Sequence, residues 1–455
     1  MKKISISLLL ASFLLFACTS EKNQPDWQYL FNETDLSGFV QRNGEANYEV
    51  KDSVIIGTTV LNTPNSFLCT ESKYSDFILE LEYKLLDDMN SGIQIRSESY
   101  PEYRDRRVHG YQIEIDPSER AWSAGIYDEG RRGWLYPLSG DDHSEARGAL
   151  KMGEWNTLRV EAIGNSIKTW LNGISISNLV DDMTPEGFIA LQVHAIGDSS
   201  KIGHKIMWKN IRILTTDLEK YTIPTVAPEV SYLINTLSET ELSEGWELLF
   251  DGKTNNGWRK AYGESFPEYG WEVKDGALTV LSSDGAESQN GGDIVTLEKY
   301  SNFDLKLQVN YTEGANSGIK YFVAEAEEGN AASAIGLEYQ ILDDKVHPDA
   351  KLGNHEGSRT LASLYDLIKA ENKRDCRAGR WIRVRILSNN MHVEHWLNGI
   401  KVLEYERKSD DYRKLVEESK YKDWPAFGEA DSGHILLQDH GNEVSFRSIK
   451  IKNLD

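Results

Sequence analysis

The stretch "HGYQIEIDP", His109 to Pro117, alternates apolar and polar side chains. Tyr111, Ile113 and Ile115 fall on one face, Gln112, Glu114 and Asp116 on the other. A period of two predicts a strand with one face in a core. The runs "FILELEYKLL", "GIQIRS", "TLRVEAI", "SIKTWLNGISI", "GFIALQVH" and "IMWKNIRIL" alternate in the same way, separated by Gly, Asn or Asp. "LNG" reads as a hairpin turn, with Asn-Gly at positive φ. Helix signals are few. Ser238 with Glu241 three residues on fits a capping box and predicts a short helix. A second helix is expected near Asp410 to Tyr421.

The pattern is written twice. "YSDFILELEYKLLD" at Tyr74 returns as "YSNFDLKLQVNYTE" at Tyr300, and "NSGI" at Asn90 returns at Asn316. "GEWNTLRV" at Gly153 returns as "GRWIRVRI" at Gly379, and "WLNGI" at Trp170 returns at Trp396. These four pairs share one offset, so they form a repeat. Elsewhere the offset drifts: "YEVKD" at Tyr48 matches "WEVKD" at Trp271, "GYQIEID" matches "EYQILDD" at Glu338, and "LQVH" at Leu191 matches "LQDH" at Leu437. Drift signals loop insertions, the largest in the second copy. A unit of this length is a whole domain, and many antiparallel strands in it predict two packed sheets. The expected division is residues 26–215, a linker over 216–244 carrying Pro224 and Pro228, and residues 245–455.

Composition narrows the function classes. Of 455 residues, 40% are hydrophobic and 10% aromatic, enough for sizeable cores. The net charge of −22, without a cluster of Lys or Arg, argues against a nucleic-acid partner. The 12 Trp and 21 Tyr suit stacking on sugar rings. At the N-terminus, Lys2 and Lys3 precede a short apolar stretch ending in "LFAC", a pattern that resembles a bacterial lipoprotein signal. It predicts removal of residues 1–18 up to a lipidated Cys18, and Thr19 in the next position favours the outer membrane. A chance Cys behind an ordinary cleaved signal is the alternative. Cys69 and Cys376 are too few and too far apart for a disulfide framework or a zinc knuckle, and both are expected to be buried or half-buried thiols.

Strand phase assigns side chains to the polar face. In copy one it carries Gln94 and Arg96, Gln112, Glu114 and Asp116, and Gln192 and His194. In copy two it carries Lys320, Glu338, Gln340, Asp344, Gln438 and His440. On the "YQI" match, Leu342 stands for Glu114 and Glu338 for Gly110, and on the "NSGI" match Phe322 stands for Arg96. Tyr127 and Tyr365 follow the polar strand in each copy. A solvated sheet face also carries Gln, Glu and Asp, and an Arg96 ion pair there would contribute little. The recurrence of Gln and His at one phase favours a site. His109, Glu114 and His194 offer nitrogen and oxygen ligands for a divalent ion, without a short-spaced His motif to support it.

"LFNETDLSGF", "LFDGKTNNGW", "NSGI", "GYQIEIDPSERAWSAGIYDEGRRGWL", "EYQILDD", "WLNG", "LQDHG" and "FRSIKI" together resemble the 3-keto-disaccharide hydrolase domain family across both copies. The resemblance implies an all-β chain of two tandem concanavalin A-like jelly rolls with short helical insertions. It also implies action on glycosides oxidised to a ketone at C3, in lipoproteins of glycan-degrading Bacteroidota. Such a ketone acidifies the C2 hydrogen, so a base, an oxyanion stabiliser and an acid suffice for elimination at C1, with water adding back. In copy one the candidates are His194 or Glu114 as base, Arg96 or a bound metal at the enolate, and Asp116 or Tyr127 as donor. In copy two they are Glu338, Gln340, Asp343, Tyr365 and His440. Gln94, Gln112, Gln192, Lys320, Gln340 and Gln438 would hold sugar hydroxyls, and Trp122, Trp134 and Tyr136 would stack on rings. A two-carboxylate glycosidase using Glu114 and Asp116, or a tethered lectin without catalysis, are the other readings.

Overall fold

The computed structural model describes residues 25–283, 286, 290–325, 334–374, 376–424 and 426–455. Residues 1–18, where a signal and a lipidated Cys18 are expected, lie outside them. Strands dominate, and they form two pairs of sheets, one pair per copy. In copy one the larger sheet runs Val230–Ser231, Ile174–Val180, Ser166–Leu171, Asn156–Ile163, Phe77–Leu85, Lys205–Leu214, Val54–Thr58, Asn47–Lys51, with Gln28–Tyr29 on Lys205–Leu214. The facing sheet runs Gly133–Tyr136, Ile126–Glu129, His109–Ile115, Ser91–Glu98, Phe188–Val193, Ser66–Thr70, Phe39–Asn43. Copy two repeats the plan, with Phe303–Tyr311 central in one sheet and Asn316–Ala324 between His434–Leu437 and Ile335–Leu342 in the other. This is a tandem jelly-roll, all-β architecture.

Alternation explains each core. Leu79, Leu81, Tyr83, Ile93, Tyr111, Ile113, Leu191 and Trp208 point between the sheets of copy one and are almost wholly buried. Leu305, Leu307, Ile319, Tyr339, Ile341 and Ile451 do the same in copy two. Both "LNG" turns have positive φ at Asn and Gly, 52° and 82° at Asn172 and Gly173, 50° and 78° at Asn398 and Gly399. That is the twist a two-residue hairpin needs. The capping box closes on Ser238 and Glu241 before the helix Glu239–Ser243, and the second helix spans Asp410–Glu417. Cys69 is buried and Cys376 half-buried.

One placement is corrected. Arg96 is not on the polar face. The pairing register breaks between Ile95 and Glu98, and Arg96 has a φ of 42°. This bulge turns the guanidinium away to the Ser75 and Gly164 carbonyls, both at 2.7 Å, and to Asp76 at 3.0 Å. Copy two bulges at the equivalent Phe322, φ 53°. The neighbouring Gly187 and Gly433 recur for the same reason: a Cβ there would lie 2.3 Å and 2.2 Å from the bulge backbone. Arg96→Met should lower the unfolding free energy by about 1–3 kcal/mol, for the lost hydrogen bonds of a buried charged group, and leave turnover unchanged. Equilibrium unfolding with a parallel activity assay checks this.

Candidate active site

The cross-strand register also corrects the alignment of the polar strand. Gly92 pairs with Glu114 and Gln94 with Gln112, whereas Gly318 pairs with Gln340 and Lys320 with Glu338. Glu114 and Gln340 each exchange backbone bonds with the following loop, Glu114 with Ala124 and Gly125, Gln340 with Ala362 and Ser363. So Gln112 corresponds to Glu338, and Glu114 to Gln340. The amide and the carboxylate have exchanged places, and Glu338 does not stand for Gly110. Gln192 and Gln438 both lie beside the "NSGI" glycine. That glycine makes room. A Cβ on Gly92 would meet the Gln112 side chain at 2.6 Å, and one on Gly318 the Glu338 carboxylate at 2.4 Å.

In copy one these side chains bond one another, although Gln192 Oε1 is buried without a partner among the described residues. Ser97 Oγ donates to Gln94 Oε1 at 2.7 Å, and Gln94 Nε2 donates to Gln112 Oε1 at 2.5 Å. Gln192 Nε2 donates to the same oxygen at 2.9 Å. Gln112 Nε2 donates to Glu114 Oε2 at 2.7 Å, and Asn90 Nδ2 to Glu114 Oε1 at 2.6 Å. Beside this chain Phe67, Cys69, Val108, Phe188 and Ala190 pack together, and Gln94, Gln112, Glu114 and Gln192 are almost wholly buried. Tyr127, opposite Gln112, meets the edge of Trp134 at 5.4 Å.

Burial raises the Glu114 carboxyl to about 7, against opposing hydrogen bonds from Asn90 and Gln112. The folded state therefore binds a proton that the unfolded chain releases near 4.5. Stability from this group is present below that pH and lost as pH rises toward 7, on the order of 3 kcal/mol. Glu114→Gln, which installs the residue of copy two, should remove that slope. Denaturant titrations at pH 5 and 8 test this.

The remaining copy-one candidates do not converge on an open site. Asp116 is pinned in a turn by Ser118 Oγ at 2.6 Å, Arg120 Nε at 2.7 Å and the Trp122 N–H at 3.2 Å. Burial pushes its pKa up, but these hydrogen bonds and the Arg120 charge outweigh it and hold it below the ordinary value, so it is a poor proton donor. The Arg120 guanidinium covers Trp122 and Trp134, at 4.8 Å and 4.9 Å, so neither ring is a free stacking platform. Tyr136 is buried, its hydroxyl donating to the Pro228 carbonyl. His194 is half-buried, with Nδ1 at 2.7 Å from the Ala195 carbonyl. His109 is buried under Tyr103 at 3.8 Å between ring centres. His109, Glu114 and His194 do not bring ligand atoms together. Among the described residues the cluster that does is His392, Glu394 and Glu404, on the opposite sheet of copy two, where Lys401 already bonds both carboxylates.

In copy two the same face borders a cavity. A cavity of 370 Å³ is lined by Asn316, Lys320, Glu338, Tyr365, Gln438 and His440 from the sheet side. Lys420, Tyr421, Trp424 and Phe427 line it from the insertion after the helix Asp410–Glu417. Register places Lys320 and Glu338 at the positions of Gln94 and Gln112, so an amide pair becomes an ammonium–carboxylate pair. Ala334 lines the cavity where copy one has Val108. The Glu338 carboxyl is raised by burial, against the pull of Lys320, Lys420 and His440. The Gln340 carboxamide lies 2.9 Å from Glu338 Oε1 and 3.0 Å from Asn316 Oδ1. Gln340 is thus buried behind Glu338 and does not line the cavity. Asn316 lies 3.3 Å from His440 Nε2.

The Lys420 ammonium is lowered by burial, although Glu338 acts to raise it. It lies 4.3 Å above the Tyr365 ring. The Tyr365 hydroxyl donates to Asp349 at 2.9 Å and burial pushes its pKa upward, so its proton faces away from a leaving group. Gln438 Oε1 is buried without a hydrogen-bond partner among the described residues, an acceptor suited to a sugar hydroxyl. Trp424 is 40% exposed at the cavity, and Tyr421 stacks on Phe427 at 3.8 Å. Asp343 and Asp344 stand apart. Asp343 accepts from the Gly314 N–H at 3.0 Å, and Asp344 pairs with Lys373 at 2.6 Å.

Sequence reasoning missed Asn316, Lys420, Tyr421, Trp424 and Phe427. The signal was the run "KYKDW", basic and aromatic together in an insertion that copy one lacks.

A sandwich sheet carrying a polar cavity with two ammonium groups, a carboxylate, an imidazole and an exposed indole defines a protein of carbohydrate chemistry. The chain belongs to the 3-keto-alpha-glucoside-1,2-lyase-like domain family, whose model matches residues 26–214 and 245–452. It is 38% identical over 233 residues to a 3-keto-disaccharide hydrolase of Bacteroides thetaiotaomicron, covering 47% of this chain and 80% of that protein. A candidate glycosyl hydrolase structure from Parabacteroides distasonis is 33% identical, covers 49% of this chain and 100% of that one, and superposes with a TM-score of 0.44. The carbohydrate-binding module CBM66 from Bacillus subtilis is 17% identical over 39% of this chain and 95% of its own, with a TM-score of 0.29.

Proposed function

We propose that copy two cleaves the glycosidic bond of 3-keto-glycosides by elimination followed by hydration, and that copy one is a non-catalytic partner. The observation that carries this is the Lys320–Glu338 pair lining a cavity, where copy one has two buried amides bonded to each other. Glu338 takes the C2 proton. Lys320 and Lys420 stabilise the negative charge gathering on the C3 oxygen. The C1–O bond then breaks, with His440 protonating the departing oxygen. Water adds at C1 of the enone and passes its proton to His440, while Glu338, whose carboxyl has exchanged with solvent as the aglycone departs, protonates C2, giving the free 3-keto sugar. Gln438 and Asn316 hold ring hydroxyls, and Trp424 supplies the stacking face. We further propose that a lipid on Cys18 tethers the protein to the outer membrane.

The test is aglycone release from a 3-keto-glucoside and from its unoxidised parent. Release from the keto sugar alone is expected. Release from the parent, or from neither, contradicts the assignment. The two histidines separate the copies. His440→Ala should lower turnover by about 100-fold or more, the range of a lost general acid, while His194→Ala should stay within about twofold. Parallel steady-state kinetics decide it.

A further inference from the structure

The larger sheets of the two copies differ in one row of charge. In copy one Glu80 lies directly between Arg159 and Arg212 on neighbouring strands. Its two oxygens accept from them at 2.6 Å and 2.5 Å. In copy two the same row reads Arg385, Lys306, Lys450. A cation has replaced the central carboxylate. The next row also loses its carboxylate: the neutral Gln308, flanked by Arg383 and Arg447, stands where Glu82 lies between Thr157 and Lys209. Like charges directly opposite each other across a sheet are destabilising, and this row carries no carboxylate of its own between the cations.

Some of the charge is answered within the chain. Arg385 pairs with Asp304 at 2.8 Å and 2.9 Å, and Lys450 bonds Glu241. Lys306 and Arg383 make no ion pair among the described residues. Each instead lies over a ring, Trp246 at 4.0 Å and Tyr232 at 4.2 Å. Burial lowers the Lys306 ammonium to about 8, and Arg385, Lys450 and Arg383 add to this against Asp304. All four cations line a cavity of 260 Å³ between the copies, closed from the other side by Tyr136, Ser139 and His143 of copy one. The acids on its wall are Asp142, Glu229 and Glu241. Glu229 is engaged by Ser238 and by Thr240 at 2.7 Å, and Glu241 by Lys450.

We propose that this cavity between the copies binds a small oxyanion, the carboxylate of a sugar acid or an inorganic phosphate, whose charge takes the place among Lys306, Arg385 and Lys450 that Glu80 fills in copy one. Arg383 supplies further donors beside it. The site lies on the sheet opposite the candidate active site and does not depend on that assignment.

The test is calorimetric titration of the mature protein with glucuronate, glucose and phosphate at fixed ionic strength in chloride. Glucuronate binding with glucose silent identifies a sugar-acid site. Phosphate binding with glucuronate silent identifies an inorganic-anion site. Lys306→Glu rebuilds the alternating row of copy one, so it should raise the unfolding midpoint and weaken binding of either anion at least tenfold. Its turnover of keto-glycoside should match the parent protein, which confirms that the variant is folded. Binding of neither anion above the chloride background overturns the proposal, as does a Lys306→Glu variant that binds as the parent does.

Discussion

Glu338→Gln should lower turnover of a 3-keto-glucoside by about 100- to 10,000-fold, the range for losing a positioned general base. The substitution is close to isosteric, and it gives copy two the amide that copy one carries as Gln112. The cavity beside Gly318 should keep its shape, since Gln112 fills the same space above Gly92. Substrate affinity should therefore change little while kcat falls. The pH profile follows from the same group. Burial holds Glu338 above the ordinary 4.5, so the acid limb of kcat/KM lies above that value and falls as pH drops through it. Burial also pulls Lys420 below its ordinary 10.5, so the basic limb should descend before that pH. Glu338→Gln should abolish the acid limb of whatever activity remains. Steady-state rates across pH for both proteins check this.

Lys320→Met should cost about 100- to 1000-fold, the range for removing one preorganised stabiliser of a developing oxyanion. Lys320 is placed by the sheet, directly opposite Glu338, and its ammonium lies 3.9 Å from Asp293 Oδ2. An ammonium held by a strand needs no reorganisation as charge builds on the C3 oxygen. Methionine keeps the length of the stem and removes the charge. The loss should fall on kcat, because the C3 oxygen of the bound ketone is neutral and gains its charge in the transition state. A rise in KM with kcat unchanged would instead make Lys320 a ground-state contact.

Much of this was legible in the chain, and the errors have physical causes. The repeat, the strands, both hairpin turns and the capping box follow from alternation, Asn-Gly pairs and a Ser-x-x-Glu spacing. The polar face follows too, because period two assigns faces. Period two is silent about neighbours, however: a shift of two residues keeps every side chain on its face. The shared "YQI" in "GYQIEID" and "EYQILDD" therefore suggested the wrong register, and only the pairing with "NSGI" exposed Glu338 as the counterpart of Gln112. Arg96 was misplaced because a bulge reverses the phase, and its sequence trace is a glycine on the next strand, Gly187. Trp122 and Trp134 read as sugar platforms until Arg120 proved to cover both. Lys420 and Trp424 come from an insertion without a partner in copy one, so the repeat carried no information about them.

The central claim is that the reaction begins by removing the proton at C2. The most direct measurement is turnover of a 3-keto-glucoside in D2O, with the product read by mass spectrometry and NMR and the Glu338→Gln protein as the control for spontaneous exchange. Elimination and hydration predict one deuterium at C2 of the released sugar. A product that keeps protium at C2 would mean that C1 is attacked directly, and the elimination chemistry assigned to Glu338 and Lys320 would be wrong.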